Sequence, residues 1–381
     1  MSKILFCYTV PETFHFTLES ILLLKDRGHE ITLISSEELK LKKVANELNV
    51  KYKFLNLRRD FSIISDGLNV IKLFFILRTI KPDIIIGATP KGALISMIAS
   101  CLLGLKHRVY HIFGLPYETA SGLKKIVLTF VEKLTSHCAT DIIPISNSVK
   151  DVYNIKFPKI KSKMRDIGQL TVGGVDTIKF DSDRFTTKIE SIKKNLGIPN
   201  ANLVIGFVGR LTNDKGIGDF IAMWEIIKNK RENITALVVG SSDARDNFDK
   251  KKLQEFFHES RVFYIDFNDE IEKYMAIMDV FVLPSFREGF GNVNVEASSM
   301  KIPVVSYNVT GCKDSVKEGY SGFLVEKKNI TSLITEVSHF LDSLQKRVKF
   351  GTQGRKYVQK HFTRKIVADQ FEVFCATLLD K

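Results

Sequence analysis

The stretch Pro284-Ser285-Phe286-Arg287-Glu288-Gly289-Phe290-Gly291-Asn292-Val293-Asn294-Val295-Glu296 decides how this chain is read. The residues before it, Val280 to Leu283, form an apolar run of strand length that Pro284 ends. Gly289 and Gly291 break the loop that follows, and the pattern predicts a helix from about Asn292 to Met300. Strand, glycine loop and helix N-terminus in this order make a site for an anion. The first turn of a helix has no internal acceptors for its N–H groups, so those of Gly289 to Val293 point at one place. The helix dipole adds positive potential there. Glu288 and Glu296 flank the point with seven residues between them. Carboxylates are poor phosphate ligands but good acceptors for sugar hydroxyls. Anion donors at the floor and carboxylates at the rim suit a nucleotide-sugar.

Downstream, Ile302-Pro303-Val304-Val305 reads as the next strand, Thr310-Gly311 as a tight turn, and Gly319-Tyr320-Ser321-Gly322-Phe323-Leu324-Val325 as a glycine-flanked strand. The whole run, P-S-x-x-E-G-F-G…E-A…P-V-V…G-F-L-V, resembles the E-x7-E region of the family 4 retaining glycosyltransferases, which have the two-domain GT-B fold. Upstream, Leu203 to Val208 reads as a strand leading into Gly209-Arg210-Leu211-Thr212-Asn213-Asp214-Lys215-Gly216 and then a helix, Ile217 to Ile227. This element resembles the G-R-x…K-G segment of the same family. Two permanent cations five residues apart suit a leaving diphosphate.

Composition sets outer bounds. The 381 residues are long and apolar enough for two cores and carry no low-complexity segment. No signal peptide is visible, and the longest membrane-span candidate, Val70 to Ile80, contains Lys72 and Arg78. Five scattered cysteines without a C-x-x-C pair argue for a reducing cytoplasm and against a zinc site. The net charge of +13 is uneven: the first 179 residues hold 26 Lys plus Arg against 16 Asp plus Glu. A basic half fits an acidic partner, such as nucleic acid, an anionic membrane or a polyanionic substrate. On charge alone it also fits solvated lysine faces.

Strands at Ile4–Tyr8, Glu30–Ile34, Ile84–Ile86 and Arg108–Phe113 alternate with helices at Leu18–Lys25, Ile63–Thr79 and Ala93–Leu103. That alternation predicts a parallel α/β sheet. Its ligand-facing loops follow the strand ends: Thr9 to His15, Gly87 to Lys91 and Phe113 to Glu118. The first loop has no glycine, which departs from the family pattern and also removes an NAD-type G-x-G-x-x-G. Many family 4 enzymes place a histidine near the transferred sugar at a position that is Phe113 here, and His111 lies two residues earlier on the same face. His111 reads equally as a site residue and as a histidine packed between layers. Phe113, Leu115 and Tyr117 with Lys124 and Lys125 read either as an apolar patch with a basic rim, fit for a membrane or lipid-linked acceptor, or as a packed loop. Val149 to Arg165, rich in lysine, reads as a surface connection. Gly114 to Lys125 and Gly168-Gln169…Gly173-Gly174-Val175-Asp176 resemble capsule and O-antigen glycosyltransferases. Asp181-Ser182-Asp183 matches the D-x-D metal motif of another fold but reads as a solvated turn. Arg364 to Leu379 carries an apolar seam at Val367, Phe371, Phe374 and Leu378, the mark of an amphipathic helix.

The resemblance therefore implies an α/β, GT-B protein: two Rossmann-like domains with parallel sheets facing across a cleft and a C-terminal helix crossing back to the first domain. Residues 1–170 would bind the acceptor, residues 171–363 the nucleotide-sugar, and residues 364–381 would form the returning helix. It implies transfer, with retention, of a hexose or N-acetylhexosamine-type sugar from a UDP-sugar to a hydroxyl of an undecaprenyl-pyrophosphate-linked saccharide in bacterial surface polysaccharide biosynthesis. The enzyme would act at the inner face of the cytoplasmic membrane, on an anionic lipid surface, with no nucleic acid partner and no metal. Arg210, Lys215 and Glu288 would be catalytic. Glu296, Gly209, Gly289, Phe290, Gly291, Asn292 and Val293 would bind the donor. His15, His111, Phe113 and Tyr117 would lie on the acceptor side. Two other classes stay open: a polyanion- or membrane-binding module that kept the fold and lost catalysis, and a UDP-sugar epimerase.

Overall fold

The computed structural model describes residues 1–57, 62–168, 173–243, 246 and 248–380. Gln169, quoted above, lies outside the described residues. The chain divides into two compact units, Met1–Gly174 with Arg364–Lys381, and Val175–Thr363.

In the first unit the strands are β1 (Lys3–Cys7), β2 (Glu30–Ser35), β3 (Lys51–Phe54), β4 (Ile84–Ala88), β5 (His107–Ile112) and β6 (Asp141–Pro144), in the order β3-β2-β1-β4-β5-β6. The second unit has β7 (Leu203–Val208), β8 (Ile234–Val239), β9 (Val262–Ile265), β10 (Val280–Leu283), β11 (Val304–Tyr307) and β12 (Gly322–Val325), in the order β12-β11-β10-β7-β8-β9. Every pairing in both sheets is parallel. Numbered within its own unit, each sheet runs 3-2-1-4-5-6. Central strands such as Ile84–Ala88 and Val280–Leu283 are buried along their whole length, as strands covered on both faces require. In each unit the first strand lies beside the fourth, and the chain leaves that pair in opposite directions. The crevice beyond their carboxyl ends is where this topology places ligands.

The helix Arg364–Leu379 returns to the first unit and packs on the helix Leu18–Asp26. Its seam is buried as expected: Phe371, Phe374 and Leu378 join the core that includes Ile4, Phe6 and Tyr8, and Val367 is buried too. Two expectations need correction. The strand assigned to Ile302–Val305 runs from Val304 to Tyr307, because Pro303 offers no N–H to a ladder. Val149 to Arg165 is not a plain surface connection: it holds a helix, Asn147–Lys156, anchored by buried Val149 and Tyr153, and a 3-10 turn, Pro158–Lys163. Of the two readings of the Phe113–Tyr117 segment, the packed loop holds, since Leu115 and Tyr117 are buried.

Among the described residues two acids of the first unit are buried, Glu132 and Asp141. Glu132, on the helix Gly122–Cys138, accepts from the Tyr110 hydroxyl at 2.8 Å and from that of Tyr153 at 3.3 Å. Burial pushes its carboxyl from 4.5 up to about 7, against the opposing pull of these two hydrogen bonds. The fold favours the neutral acid, so this stability is fully present below the unfolded value and is lost as pH rises through about 7. The loss is about 3 kcal/mol for a shift of that size. Hydrogen-exchange protection of residues 122–138, corrected for the intrinsic rise of exchange with pH, should fall across that window in the wild type and not in Glu132→Gln. Equal protection on both sides of the window in the wild type would show that Glu132 ionises without cost.

Candidate donor site

β7 and β10 are hydrogen-bonded neighbours, with Val280 opposite Ile205 and Phe281 opposite Gly206. Their carboxyl ends therefore release two loops side by side. After β7 come Gly209, Arg210 and the 3-10 turn Asn213–Lys215, and then the helix Ile217–Lys228. After β10 comes the Pro284 loop and then the helix Asn292–Ser299, which starts at Gly291 in a left-handed conformation. The loops are stitched together. The Phe286 N–H and the Ser285 hydroxyl both donate to the Asp214 carbonyl, at 2.8 and 3.0 Å. Gly216 has φ +75°, and a Cβ there would lie 1.8 Å from the Pro284 carbonyl oxygen. On the other side the Glu288 N–H donates to the Thr310 carbonyl at 3.0 Å. A Cβ on Gly311 would sit 2.6 Å from the Glu288 carbonyl oxygen.

This stitching brings Lys215 Nζ to 2.5 Å from Glu288 Oε1, with the two side chains 20% and 11% exposed. Beside the pair, Asp214 collects three donors. Thr212 Oγ1 donates to its Oδ1 at 2.5 Å, while Arg210 and Arg287 approach its Oδ2 at 3.5 and 3.6 Å. Burial works against ionisation of Asp214, but the Thr212 hydroxyl and the nearby cations Arg210, Arg287 and Lys215 hold its carboxyl below the usual value. Arg210 also reaches Asp243 Oδ2 at 3.4 Å and is half exposed. The result is a half-buried cluster of cations, each held by a carboxylate, at the strand-order switch. Such a cluster can exchange its carboxylate partners for phosphate oxygens.

The expected residues fall into two groups. Arg210, Lys215, Glu288 and Gly209 meet at the ends of β7 and β10. Gly289, Phe290, Gly291, Asn292 and Val293 lead into the helix Asn292–Ser299, and Glu296 is half-buried on it. The Phe290 side chain is buried against Phe362, with ring centroids 5.1 Å apart. The acceptor-side residues belong to the first unit. His111 is buried beside Phe113 and Phe371, with ring centroids 4.6 and 5.9 Å away. Burial pulls its imidazole down to about 3, which keeps it neutral. Tyr117 is buried, Phe113 half-buried and His15 exposed. Asp181 and Asp183 are tied to Arg355 at 2.7 Å and Lys301 at 2.6 Å. Among the described residues no three His, Cys, Asp or Glu side chains converge as metal ligands.

The model of the glycosyl transferases group 1 family matches residues 188–357, and that of the glycosyl transferase 4-like family matches residues 3–148. The capsular polysaccharide biosynthesis glycosyltransferase CapM of Staphylococcus aureus is 32% identical over 377 residues, 99% of this chain and 97% of CapM. This chain belongs to glycosyltransferase family 4. A second relative of this glycosyltransferase is an Escherichia coli enzyme, UDP-Gal:alpha-D-GlcNAc-diphosphoundecaprenol alpha-1,3-galactosyltransferase. It is 26% identical over 331 residues, 86% of this chain and 84% of the relative. Anabaena Alr3699/HepE, solved with UDP and glucose, superposes with a TM-score of 0.81 at 20% identity, over 99% of this chain and 100% of HepE, and shows that the glycosyltransferase has the GT-B fold.

Sequence reasoning missed Asp214 and Arg287 in this family 4 glycosyltransferase. Asp214 stands four residues after Arg210, and that i,i+4 spacing is a usable signal for an ion pair. Arg287 is adjacent to Glu288, but only the fold shows that it turns toward Asp214. The close approach at Gly216 yields a direct prediction. Gly216→Ala should lower the stability of the second unit by about 3 kcal/mol, as overpacking against backbone does. Trp224, the one tryptophan of the chain, is fully buried in that unit, and its fluorescence on urea unfolding reports the change. An unchanged midpoint would show that the two loops do not depend on this contact.

Proposed function

We propose that this glycosyltransferase moves a hexose or N-acetylhexosamine-type sugar from a UDP-sugar to a hydroxyl of a saccharide carried on undecaprenyl pyrophosphate, in the biosynthesis of a bacterial capsule or O-antigen. The observation that carries this reading is the Lys215–Glu288 pair at the ends of β7 and β10, with Arg210 and Arg287 beside it. A diphosphate entering this cluster offers Lys215 and Arg210 stronger partners than their carboxylates. Glu288, released from Lys215, then accepts from hydroxyls of the donated sugar. Glu296 accepts from the ribose hydroxyls. Backbone N–H groups from Gly289 to Val293, at the start of the helix Asn292–Ser299, face the sugar and phosphate, and Gly209 lets the chain pass close to the donor.

In this reading the sugar leaves UDP as its C1–O bond breaks, and Arg210 and Lys215 stabilise the charge that builds on the departing diphosphate. A diphosphate oxygen takes the proton of the acceptor hydroxyl, whose oxygen bonds to C1 from the same face, so the configuration is retained. The cations already present supply this stabilisation, and the reaction proceeds without a metal. Glu288 as a covalent nucleophile is the second route to retention. On the acceptor side, exposed His15 and half-buried Phe113 are open to a saccharide in the first unit, whereas enclosed His111 and Tyr117 shape the wall behind them. The names of the capsular and diphosphoundecaprenol relatives support a lipid-linked acceptor. Such an acceptor would put the enzyme at the cytoplasmic face of the membrane.

The test is UDP release from a panel of UDP-sugars, with and without a lipid-pyrophosphate-linked saccharide and in the presence of a chelator. One donor should give acceptor-dependent release that the chelator does not reduce. Lys215→Ala should lower kcat/KM by about 10²–10³, the loss seen when one preorganised donor is removed. Glu288→Gln should keep UDP binding at least as tight as the wild type while losing turnover. Wild-type turnover in Lys215→Ala would remove the assignment, and release of free sugar without an acceptor would favour an epimerase.

A further inference from the structure

The helix Gly122–Cys138 has two unlike faces. Val131, Glu132, Thr135, Ser136 and Cys138 are buried and fix it to the first unit. Leu123, Ile126, Val127 and Phe130 form a stripe at helical spacing on the opposite side, and Leu123, Ile126 and Phe130 are 76%, 66% and 63% exposed. Single exposed apolar side chains are ordinary, but a contiguous stripe is not. At Phe130 the stripe runs into a groove of about 580 Å³ between this helix and the 3-10 turn Pro158–Lys163. Leu134, Phe157 and Ile160 give the groove an apolar floor, and Lys133, Lys156 and Lys159 stand at its rim. Its volume lies within the range of about 300–1,000 Å³ that small ligands occupy.

Charge identifies the occupant. Residues 122–163 contain eight lysines and three acids. Two of those acids are withdrawn from the surface: Glu132 is buried against Tyr110, and Asp141 is buried and paired with Arg165 at 2.6 Å. The face is therefore cationic, with an apolar centre. A second copy of the chain would bring two such faces together and repel. A bilayer of anionic lipids offers what both parts need: acyl chains for Leu123, Ile126 and Phe130, and phosphates for the lysines.

We propose that this face seats the first unit on an anionic lipid bilayer, with the phosphate-bearing head of one lipid held in the groove among Lys133, Lys156 and Lys159. The proposal rests on the reading that the acceptor is lipid-linked, and it adds the surface by which the enzyme reaches that acceptor. The exposed residues lie on the helix after the Leu115–Tyr117 loop, not on the loop itself.

The test is co-sedimentation of the full chain with vesicles of phosphatidylcholine alone and of phosphatidylcholine with phosphatidylglycerol. The wild type should pellet only with the anionic vesicles. Combined Lys133→Gln, Lys156→Gln and Lys159→Gln should weaken that binding about a hundredfold, as removal of three cations from a charged surface does. Ile126→Ser with Phe130→Ser should weaken it as well. All these side chains are exposed, so the variants should melt like the wild type. In a Phe130→Trp variant the new emission should shift to the blue on anionic vesicles, while fully buried Trp224 stays constant. Equal capture by neutral vesicles, or wild-type capture of the lysine variant, overturns the proposal. So does a concentration-dependent dimer of the wild type that the serine variant abolishes, because the face would then join two copies. Stabilisation by UDP is measured on the same samples. Its absence with vesicle capture intact would strike the donor reading and leave the bilayer face standing.

Discussion

The 2.5 Å contact between Lys215 Nζ and Glu288 Oε1 depends on nearly every local feature of the second unit. Lys215 and Glu288 are 73 residues apart in the chain, on loops that follow different strands. They meet because β7 and β10 are neighbours in the sheet and because the two loops share hydrogen bonds through the Asp214 carbonyl. Gly216 permits the approach, because any side chain there would strike Pro284. Half-buried charges need a partner, and removing one member of such a pair strands the other. In the absence of donor each charge satisfies the other. The cluster is thus stable while unoccupied, and in the proposed function it already holds its cations close to where the diphosphate needs them. Preorganisation of this kind is the largest part of electrostatic catalysis.

The two units share one strand order but not one chemistry. At the matching place in the first unit, beyond β1 and β4, the Thr9 and Thr89 hydroxyls lie 2.6 Å apart. Thr89 is held at φ +62°, an unusual conformation for a β-branched residue. Lys91, in the first turn of the helix Pro90–Leu102 that follows, is 2% exposed and paired with Asp66 at 2.9 Å. The same topology therefore encloses its cation in the first unit and leaves cations half open to a ligand in the second. Strand order decides where a ligand can sit, and the side chains after the first and fourth strands decide what kind it is.

Much of this was legible before the structure. The glycine-broken loop after Val280–Leu283 and the cations after Leu203–Val208 carry local spacing signals, and both stand where they were expected. The seam of Arg364–Leu379 was legible for the same reason, since helical periodicity survives whatever the helix packs against. Pairings across long sequence separations were not legible. The sequence assigned Lys215 to phosphate and Glu288 to sugar, with nothing to say that they bind each other first. Asp214 was passed over although its spacing from Arg210 was legible, whereas its contact with Arg287, far along the chain, was not. The exposed stripe at Leu123, Ile126 and Phe130 was not singled out, and the Leu115–Tyr117 loop was left open between patch and packed loop. Apolar residues in a loop and on a helix look alike in composition, and only packing separates the buried from the exposed.

In the proposed function Lys215 is the cation that leaves Glu288 for the donor's diphosphate. Calorimetric titration with UDP and with uridine monophosphate, on the wild type and on Lys215→Ala, tests this most directly. The wild type should bind UDP more tightly than the monophosphate by about ten- to a hundredfold, the value of one charged hydrogen bond to the second phosphate. In Lys215→Ala that preference should largely disappear while monophosphate binding is kept. An undiminished preference for UDP in Lys215→Ala would contradict the account and place the diphosphate elsewhere.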